Sequence, residues 1–250
     1  MKILLTNDDG INAKGLEILE QIAREISDDV WIVAPHNEQS GAAHSLTINN
    51  PLRMDQISEK KFAVRGTPTD CVMLAKKFVI SGKIDLVLSG INRGANYAED
   101  ITYSGTVAGA MEGTLMGIPS IALSLDYEDR NKMKWDIPRK YATDIIKKLL
   151  AIGWDKNNLI NINFPDTDEV KGVKFVRQGK RKGVENPAVT KHADPKNRPY
   201  YWIGTQSEIV DETLPSSDIM ATKAGYISIT PISMDLTNYK LMDALEKDFF

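Results

Sequence analysis

Two adjacent carboxylates, Asp8 and Asp9, stand in "TNDDG" (6–10), directly after the apolar run "KILLT" (2–6). Neighbouring anions repel, and neither is favoured beside a low-dielectric core. Two readings fit the pair. It forms a solvated turn closed by Gly10, or it is the anionic half of a cation site. Hard divalent ions such as Mg²⁺ and Mn²⁺ take oxygen ligands. Ser40, in "HNEQSGAAHS" (36–45), and Asn92, in "SGINRGAN" (89–96), can add a hydroxyl and an amide oxygen. The chain has three histidines and one cysteine, which offer no zinc-type cluster. Of the histidines, His36 and His44 share the loop of Ser40, and His192 lies in a polar stretch; each reads as a solvated side chain more readily than as a catalytic one.

A second group of residues is suited to an anion. Ser104, Gly105 and Thr106 open a small-residue segment, "SGTVAGAMEGTLMG" (104–117). Ser104 reads first as a helix N-cap, worth about 1 kcal/mol. The same helix start exposes unpaired N–H groups and the positive end of the helix dipole, and it carries two hydroxyls that suit a phosphate. Asn96 adds a neutral polar side chain nearby, and the glycines of "SGINRGAN" let backbone approach a ligand closely. "GTPTDC" (66–71) is explained by Thr67 capping a helix, with Cys71 a small buried residue on it. The basic "GKRKG" (179–183) reads as a solvated loop, with steering of an anionic substrate as the alternative.

These residues need a frame that brings them together. "KILLT", "VWIVA" (30–34), "IDLVLS" (84–89), "SIALSL" (120–125) and "NLININ" (158–163) read as buried strands. Helical spacing recurs in Leu16, Leu19, Ile22, Ala23 and Ile26, in the stretch from Thr67 to Phe78, in 104–117, and from Tyr141 to Leu150. Alternation of strand and helix over short connections predicts a Rossmann-like, mostly parallel sheet with helices on both faces. In such sheets ligands bind at the carboxyl ends of the strands, which is where the polar clusters fall. The C-terminal half departs from this rhythm. "GVKFVRQ" and "RPYYWIG" read as strands of an extended hairpin-like excursion, residues 216–223 as a short helix, "GYISITPI" (225–232) as a strand, and Tyr239 onward as a terminal helix. One domain over 1–250 is expected, with a core of about 1–165 plus 216–235, a hairpin over about 170–212 and a helix over about 238–250.

Composition bounds the function class. The chain has 250 residues, 42% hydrophobic and 26% charged, with a net charge of −3. That charge provides no basic field for a nucleic-acid polymer. No apolar run approaches the roughly 18 residues of a membrane span. The lone cysteine excludes an intrachain disulfide framework, and the N-terminal stretch lacks a signal-peptide pattern, so a cytoplasmic protein is expected.

In order and spacing, "LLTNDDGINAKGL", "VAPHNEQSGAAHSLT", "GTPTDCV", "DLVLSGINRGAN" and "YSGTVAGAMEG" resemble the SurE survival-protein family of 5′/3′-nucleotidases, with weaker matches in "NINFP", "DPKNRPYYWIG" and "GYISITPI". The resemblance implies a metal-dependent phosphatase that releases phosphate from nucleoside 5′- and 3′-monophosphates, some members also trimming short polyphosphate. It implies one divalent ion per subunit, Mg²⁺ or Mn²⁺, on Asp8, Asp9, Ser40 and Asn92. It also implies a homodimer or homotetramer in which C-terminal elements are exchanged. Within this reading Asn96, Ser104, Gly105 and Thr106 hold phosphate, and Asp8 and Asp9 are the catalytic carboxylates, with Asp9 favoured as proton acceptor.

Three rival classes are tested by the same residues. A signalling receiver module also follows its first strand with an acidic pair, but needs a phospho-accepting aspartate after the third strand, where this chain has "SGIN". A dinucleotide-dependent oxidoreductase needs G-x-G-x-x-G after the first strand, which "TNDDGINAKG" does not provide. A non-catalytic nucleotide- or phosphate-binding regulator remains as the alternative that shares the same site.

Overall fold

The structure is a computed structural model, and it describes residues 1–182, 188–204 and 213–249. The chain opens with β1 (Lys2–Thr6), α1 (Lys14–Arg24) and β2 (Asp29–Pro35), then β3 (Met54–Ser58), β4 (Lys61–Val64) and α2 (Pro68–Leu74). Next come β5 (Leu86–Arg93), α3 (Gly105–Leu115), β6 (Ser120–Leu125), α4 (Asp136–Ile152) and β7 (Asn158–Phe164). The C-terminal half holds β8 (Val173–Phe175), β9 (Val189–Ala193), β10 (Pro199–Ile203), α5 (Asp218–Lys223), β11 (Ile227–Ser233) and α6 (Tyr239–Phe249).

Among the described residues, nine strands form one sheet in the order β3-β4-β2-β1-β5-β6-β7-β11-β8. From β4 to β7 every pairing is parallel; β3 and β11 run antiparallel to their neighbours β4 and β7. The strands β1, β6 and β7 are buried along nearly their whole length because both faces are covered. α1 buries Leu16, Ile18, Leu19, Ile22 and Ala23. With α4 it contributes to one large core cluster, while α2 and α3 supply two smaller ones. α2 begins with a full capping box: the Thr67 hydroxyl accepts from the Asp70 N–H, and Asp70 accepts from the Thr67 N–H. The sheet order reverses at β1, whose neighbours are β2 on one side and β5 on the other. The crevice that opens at such a reversal is the binding site of open α/β sheets.

α3 owes its position to three glycines. A Cβ at Gly105 would lie 2.7 Å from Asp8 Cβ, at Gly109 2.7 Å from Ser89 Oγ, and at Gly113 2.4 Å from Ser120 Oγ. They recur every fourth residue, so they line one face of the helix. That face lies on β1, β5 and β6 at a distance no larger residue permits, and it brings the helix start down onto the end of β1.

Four elements differ from the sequence expectation. β5 runs past Ser89 to Arg93; its pairing with β6 shifts register between Ser89 and Asn92, and the Gly90–Ile91 peptide is cis. β3 and β4 form a hairpin at the sheet edge where the sequence announced nothing; β3 is exposed throughout and shows no buried period. The strands read in "GVKFVRQ" and "RPYYWIG" do not pair with one another. β8 lies in the main sheet beside β11, and β10 pairs instead with β9, from the polar stretch between them. Finally, "GKRKG" is not wholly a solvated loop, because Arg181 is largely enclosed and paired with Asp100; Gly183 lies outside the described residues. Parts of the expected hairpin, 183–187 and 205–212, and residue 250 of the expected helix also lie outside them.

Candidate active site

Both carboxylates stand at the carboxyl end of β1, and Asp8 is buried. Asp8 Oδ1 accepts a hydrogen bond from the Thr106 hydroxyl, and Asp8 Oδ2 lies against Gly105, where a Cβ would sit 3.0 Å away. Burial pushes the Asp8 carboxyl up to about 6, the Thr106 hydrogen bond opposing and Asp9 adding to the rise. Asp9 Oδ2 accepts the Arg93 N–H at 3.1 Å, and its Oδ1 is 4.0 Å from the Arg93 guanidinium. Burial raises the Asp9 carboxyl as well, against the pull of Arg93. Asp8 Oδ1 is thus engaged by the Thr106 hydroxyl, and Asp9 by Arg93, whose N–H reaches Oδ2 while its guanidinium faces Oδ1.

The remaining oxygen donors arrive from β2 and β5. The loop after β2 is fixed at its middle: the Gln39 N–H donates to the Asp8 carbonyl at 2.7 Å. Next in sequence is Ser40, exposed, its hydroxyl donating to Glu38 at 2.7 Å. Farther along, the Ala43 N–H donates to the Tyr103 carbonyl at 3.1 Å, and His44 Nε2 lies 3.0 Å from Glu112 on α3. His44 therefore secures the loop to the helix. His36 stays exposed beside Asn37, and His192 stacks on Tyr200 in the β9–β10 hairpin. Asn92, past the register shift of β5, donates its amide N–H to the Gly94 carbonyl at 2.8 Å, which leaves the amide oxygen available to a ligand.

Among the described residues, no three of His, Cys, Asp and Glu gather as a metal cluster. The donor set here is different: two carboxylates, a hydroxyl and an amide oxygen. A buried and a half-buried carboxylate side by side, both held above their usual range by burial, have the chemistry that suits a hard cation. They would be costly without one.

The residues expected to hold phosphate have distinct hydrogen-bonding states. Ser104 caps α3, its Oγ accepting the Val107 N–H at 3.0 Å, so its hydroxyl hydrogen stays free to donate. Thr106 has spent its hydroxyl hydrogen on Asp8. Asn96 is buried, with one amide N–H donated to Ser124 Oγ at 2.8 Å. Its backbone is held by two asparagines of β7: Asn163 Oδ1 accepts the Asn96 N–H at 2.7 Å, and Asn161 and Asn163 donate to its carbonyl at 2.7 and 3.1 Å. Sequence reasoning assigned no role to Asn161, Asn163 or Glu38. The signal for the first two was present in "NININF", where asparagines alternate along a strand buried on both faces. Cys71 is fully buried and burial pushes its thiol up, so no thiolate nucleophile is offered. A cavity of about 140 Å³, lined by Asp9, Ala13, Lys14, Gly15, Arg93 and Trp135, opens beside the acidic pair.

An open α/β sheet with paired carboxylates at the strand ends of its switch point, beside a helix start that carries Ser104 and Thr106, defines the class: a Rossmann-like α/β protein with its candidate site at that edge. The comparisons with known proteins narrow that class. The family model described as "Survival protein SurE" matches residues 3–185. The chain is 53% identical to the 5′-nucleotidase SurE of Paramagnetospirillum magneticum over 252 residues, covering 100% of this chain and 96% of that one. It is 50% identical to the 5′-nucleotidase SurE of Rhodopseudomonas palustris strain TIE-1, covering 98% of both. The crystal structure of the SurE protein from Aquifex aeolicus superposes with a TM-score of 0.83 at 40% identity, covering 100% of both chains. The chain belongs to the SurE family.

Proposed function

We propose that this chain hydrolyses nucleoside monophosphates to nucleoside and phosphate, with Asp8, Asp9, Ser40 and Asn92 holding one divalent cation, Mg²⁺ or Mn²⁺. The nucleotidase activity itself follows from the family, whose members at 50% identity and above over nearly the full chain carry that name. The observation that carries the cation reading is the side-by-side placement at the end of β1 of two carboxylates, Asp8 buried and Asp9 half-buried, both held above their usual range by burial. When bound, the cation supplies Lewis-acid polarisation of the phosphoryl group and lowers the pKa of a water.

The chain's own residues do the rest. Ser104 donates its hydroxyl to a phosphate oxygen, and the backbone N–H groups at the start of α3 stabilise the charge that builds there. Asn96 has one amide N–H left for the same purpose. Thr106 acts through Asp8, orienting it by the hydrogen bond it donates. Asp9 takes a proton from the attacking water; the water oxygen bonds to phosphorus, the ester bond to the sugar oxygen breaks, and the proton Asp9 took up passes to that oxygen, which restores the carboxylate.

Two elements extend the proposal to assembly. The β9–β10 hairpin exposes Tyr201, Trp202 and Ile203, and α6 buries no residue while exposing Leu241, Met242 and Leu245. These surfaces support packing on other subunits as a homodimer or homotetramer. Among the described residues no helix is long and apolar enough to cross a membrane.

The test is phosphate release from 5′- and 3′-nucleotides, other phosphoesters and tripolyphosphate, with each cation and with chelator. Cation-dependent release from nucleotides is expected. Release from no substrate in the panel, or release that chelator does not reduce, overturns the reading.

A further inference from the structure

Between Asn96 and Ser104 the chain passes through Ala98, fully buried, with a φ of 51°. That left-handed conformation is disfavoured for a non-glycine residue, because it crowds Cβ against the following carbonyl oxygen. It persists only where the surroundings over-determine it. Here both backbone groups of Ala98 are held from the C-terminal half. Its N–H donates to Asp218 Oδ2 at 3.1 Å, and its carbonyl accepts from the Gln178 amide at 2.9 Å.

Asp218 is itself fully buried, at the start of α5. Its other oxygen accepts the Gly179 N–H at 2.8 Å and the Ile219 N–H at 2.7 Å. One carboxylate therefore joins three segments: the loop after β5, the strip at 178–179 and the first turn of α5. Arg181 extends the clamp. Its N–H faces the Glu99 carboxylate at 3.1 and 3.2 Å, its guanidinium pairs with both oxygens of Asp100, and it lies 5.3 Å over the Tyr97 ring. From Asp100 the path to the site is one hydrogen bond: the Asp100 carbonyl accepts the Ser104 N–H at 3.0 Å.

We propose that Asp218 is a positioning residue for phosphate: by holding Ala98 in its left-handed conformation, it sets where Asn96 and Ser104 stand. Asp218 touches no reacting group. The inference rests on the proposed role of Ser104 and Asn96. It separates phosphate binding from cation binding, because Asp8, Asp9, Ser40 and Asn92 all lie outside the clamped loop.

The informative variant is Asp218→Asn. It keeps the shape and one carbonyl-type acceptor for Gly179 and Ile219, and turns an amide N–H toward that of Ala98. Three quantities are to be measured in the full-length protein: KM for a nucleoside monophosphate, Ki for inorganic phosphate, and Mn²⁺ affinity by electron paramagnetic resonance. KM and Ki are expected to rise about 10-fold, the scale of a lost outer-shell partner, with Mn²⁺ affinity within about 2-fold of wild type. Ala98→Gly in the same background is expected to recover much of the loss, since glycine adopts positive φ without support. Gln178→Ala removes the second hold from the protein surface and is expected to shift Ki in the same direction; it decides the matter where Asp218→Asn does not fold. An unchanged Ki in the variants that fold, or a parallel fall in Mn²⁺ affinity, overturns the proposal. Ser104→Ala is the control. If it leaves Ki unchanged, the phosphate-site reading fails; if it raises Ki while Asp218→Asn and Gln178→Ala do not, only the positioning role of Asp218 fails.

Discussion

At the scale of single residues, the site is governed by what each oxygen is already doing. Thr106 illustrates this. Its type and place suggested a phosphate contact, yet its hydroxyl hydrogen goes to Asp8. Thr106→Val is nearly isosteric and removes that donor. It is expected to lower turnover about 10- to 100-fold, as loss of an outer-shell partner does, and to weaken cation affinity alongside. Unaltered cation affinity in Thr106→Val, measured by calorimetric titration, would show that Thr106 does not act through Asp8. The raised Asp8 carboxyl sets a pH dependence. Its folded value of about 6 lies above the usual value of about 3.9 for an unfolded chain. The cation-free fold therefore binds this proton more tightly than the unfolded chain. The associated stability is complete below about pH 4 and is lost as pH rises through about 6, a change on the order of 3 kcal/mol. A divalent cation favours the ionised form, so the gain in melting temperature on adding Mg²⁺ is expected to be larger at about pH 7.5 than at about pH 5. Equal gains at both would contradict the assignment of Asp8 as a ligand.

At the scale of elements, the decisive contact is α3 against the sheet. Gly109→Ala would place a methyl 2.7 Å from Ser89 Oγ and 2.8 Å from Thr6 Cγ2. Overpacking of this kind costs about 1–3 kcal/mol. It also lifts the helix start away from Asp8, so reduced melting temperature and reduced turnover are expected together, one turn away from any proposed ligand contact. Wild-type kinetics in Gly109→Ala would show that the close approach of α3 serves packing alone. The strands and helices of the N-terminal half were legible because their apolar periods coincide with burial on both faces of a parallel sheet. The place of the acidic pair after β1 and the Ser104 cap of α3 were legible because an apolar run that ends in polar residues, and a serine that opens a helical period, carry their own local signals. What escaped was set by long-range contact. β3 is exposed throughout and pairs only through β4, and Asn161 and Asn163 acquire a role only when β7 meets the loop at Asn96. Arg181 looked like one of a run of solvated cations until Asp100, 81 residues earlier in the chain, came to face it.

At the scale of the whole molecule, the acidic pair and the start of α3 come from the N-terminal half, while Asn161, Asn163 and Asp218 of the C-terminal half bind the backbone of the segment at Asn96 and Ala98. The exposed apolar residues of β10 and α6 add an expectation about assembly. Sedimentation equilibrium is expected to return the mass of a dimer or tetramer for the full chain and a smaller assembly once α6 is removed; a monomeric full chain would leave those surfaces unexplained. The central claim is that a cation-loaded Asp8–Asp9 pair performs phosphate-ester hydrolysis. Phosphate release from a nucleoside monophosphate with Mn²⁺, wild type beside Asp8→Asn, tests it most directly. Cation-dependent release by the wild type is expected, and none above background by a folded Asp8→Asn protein. Undiminished release by Asp8→Asn with the cation present would contradict it.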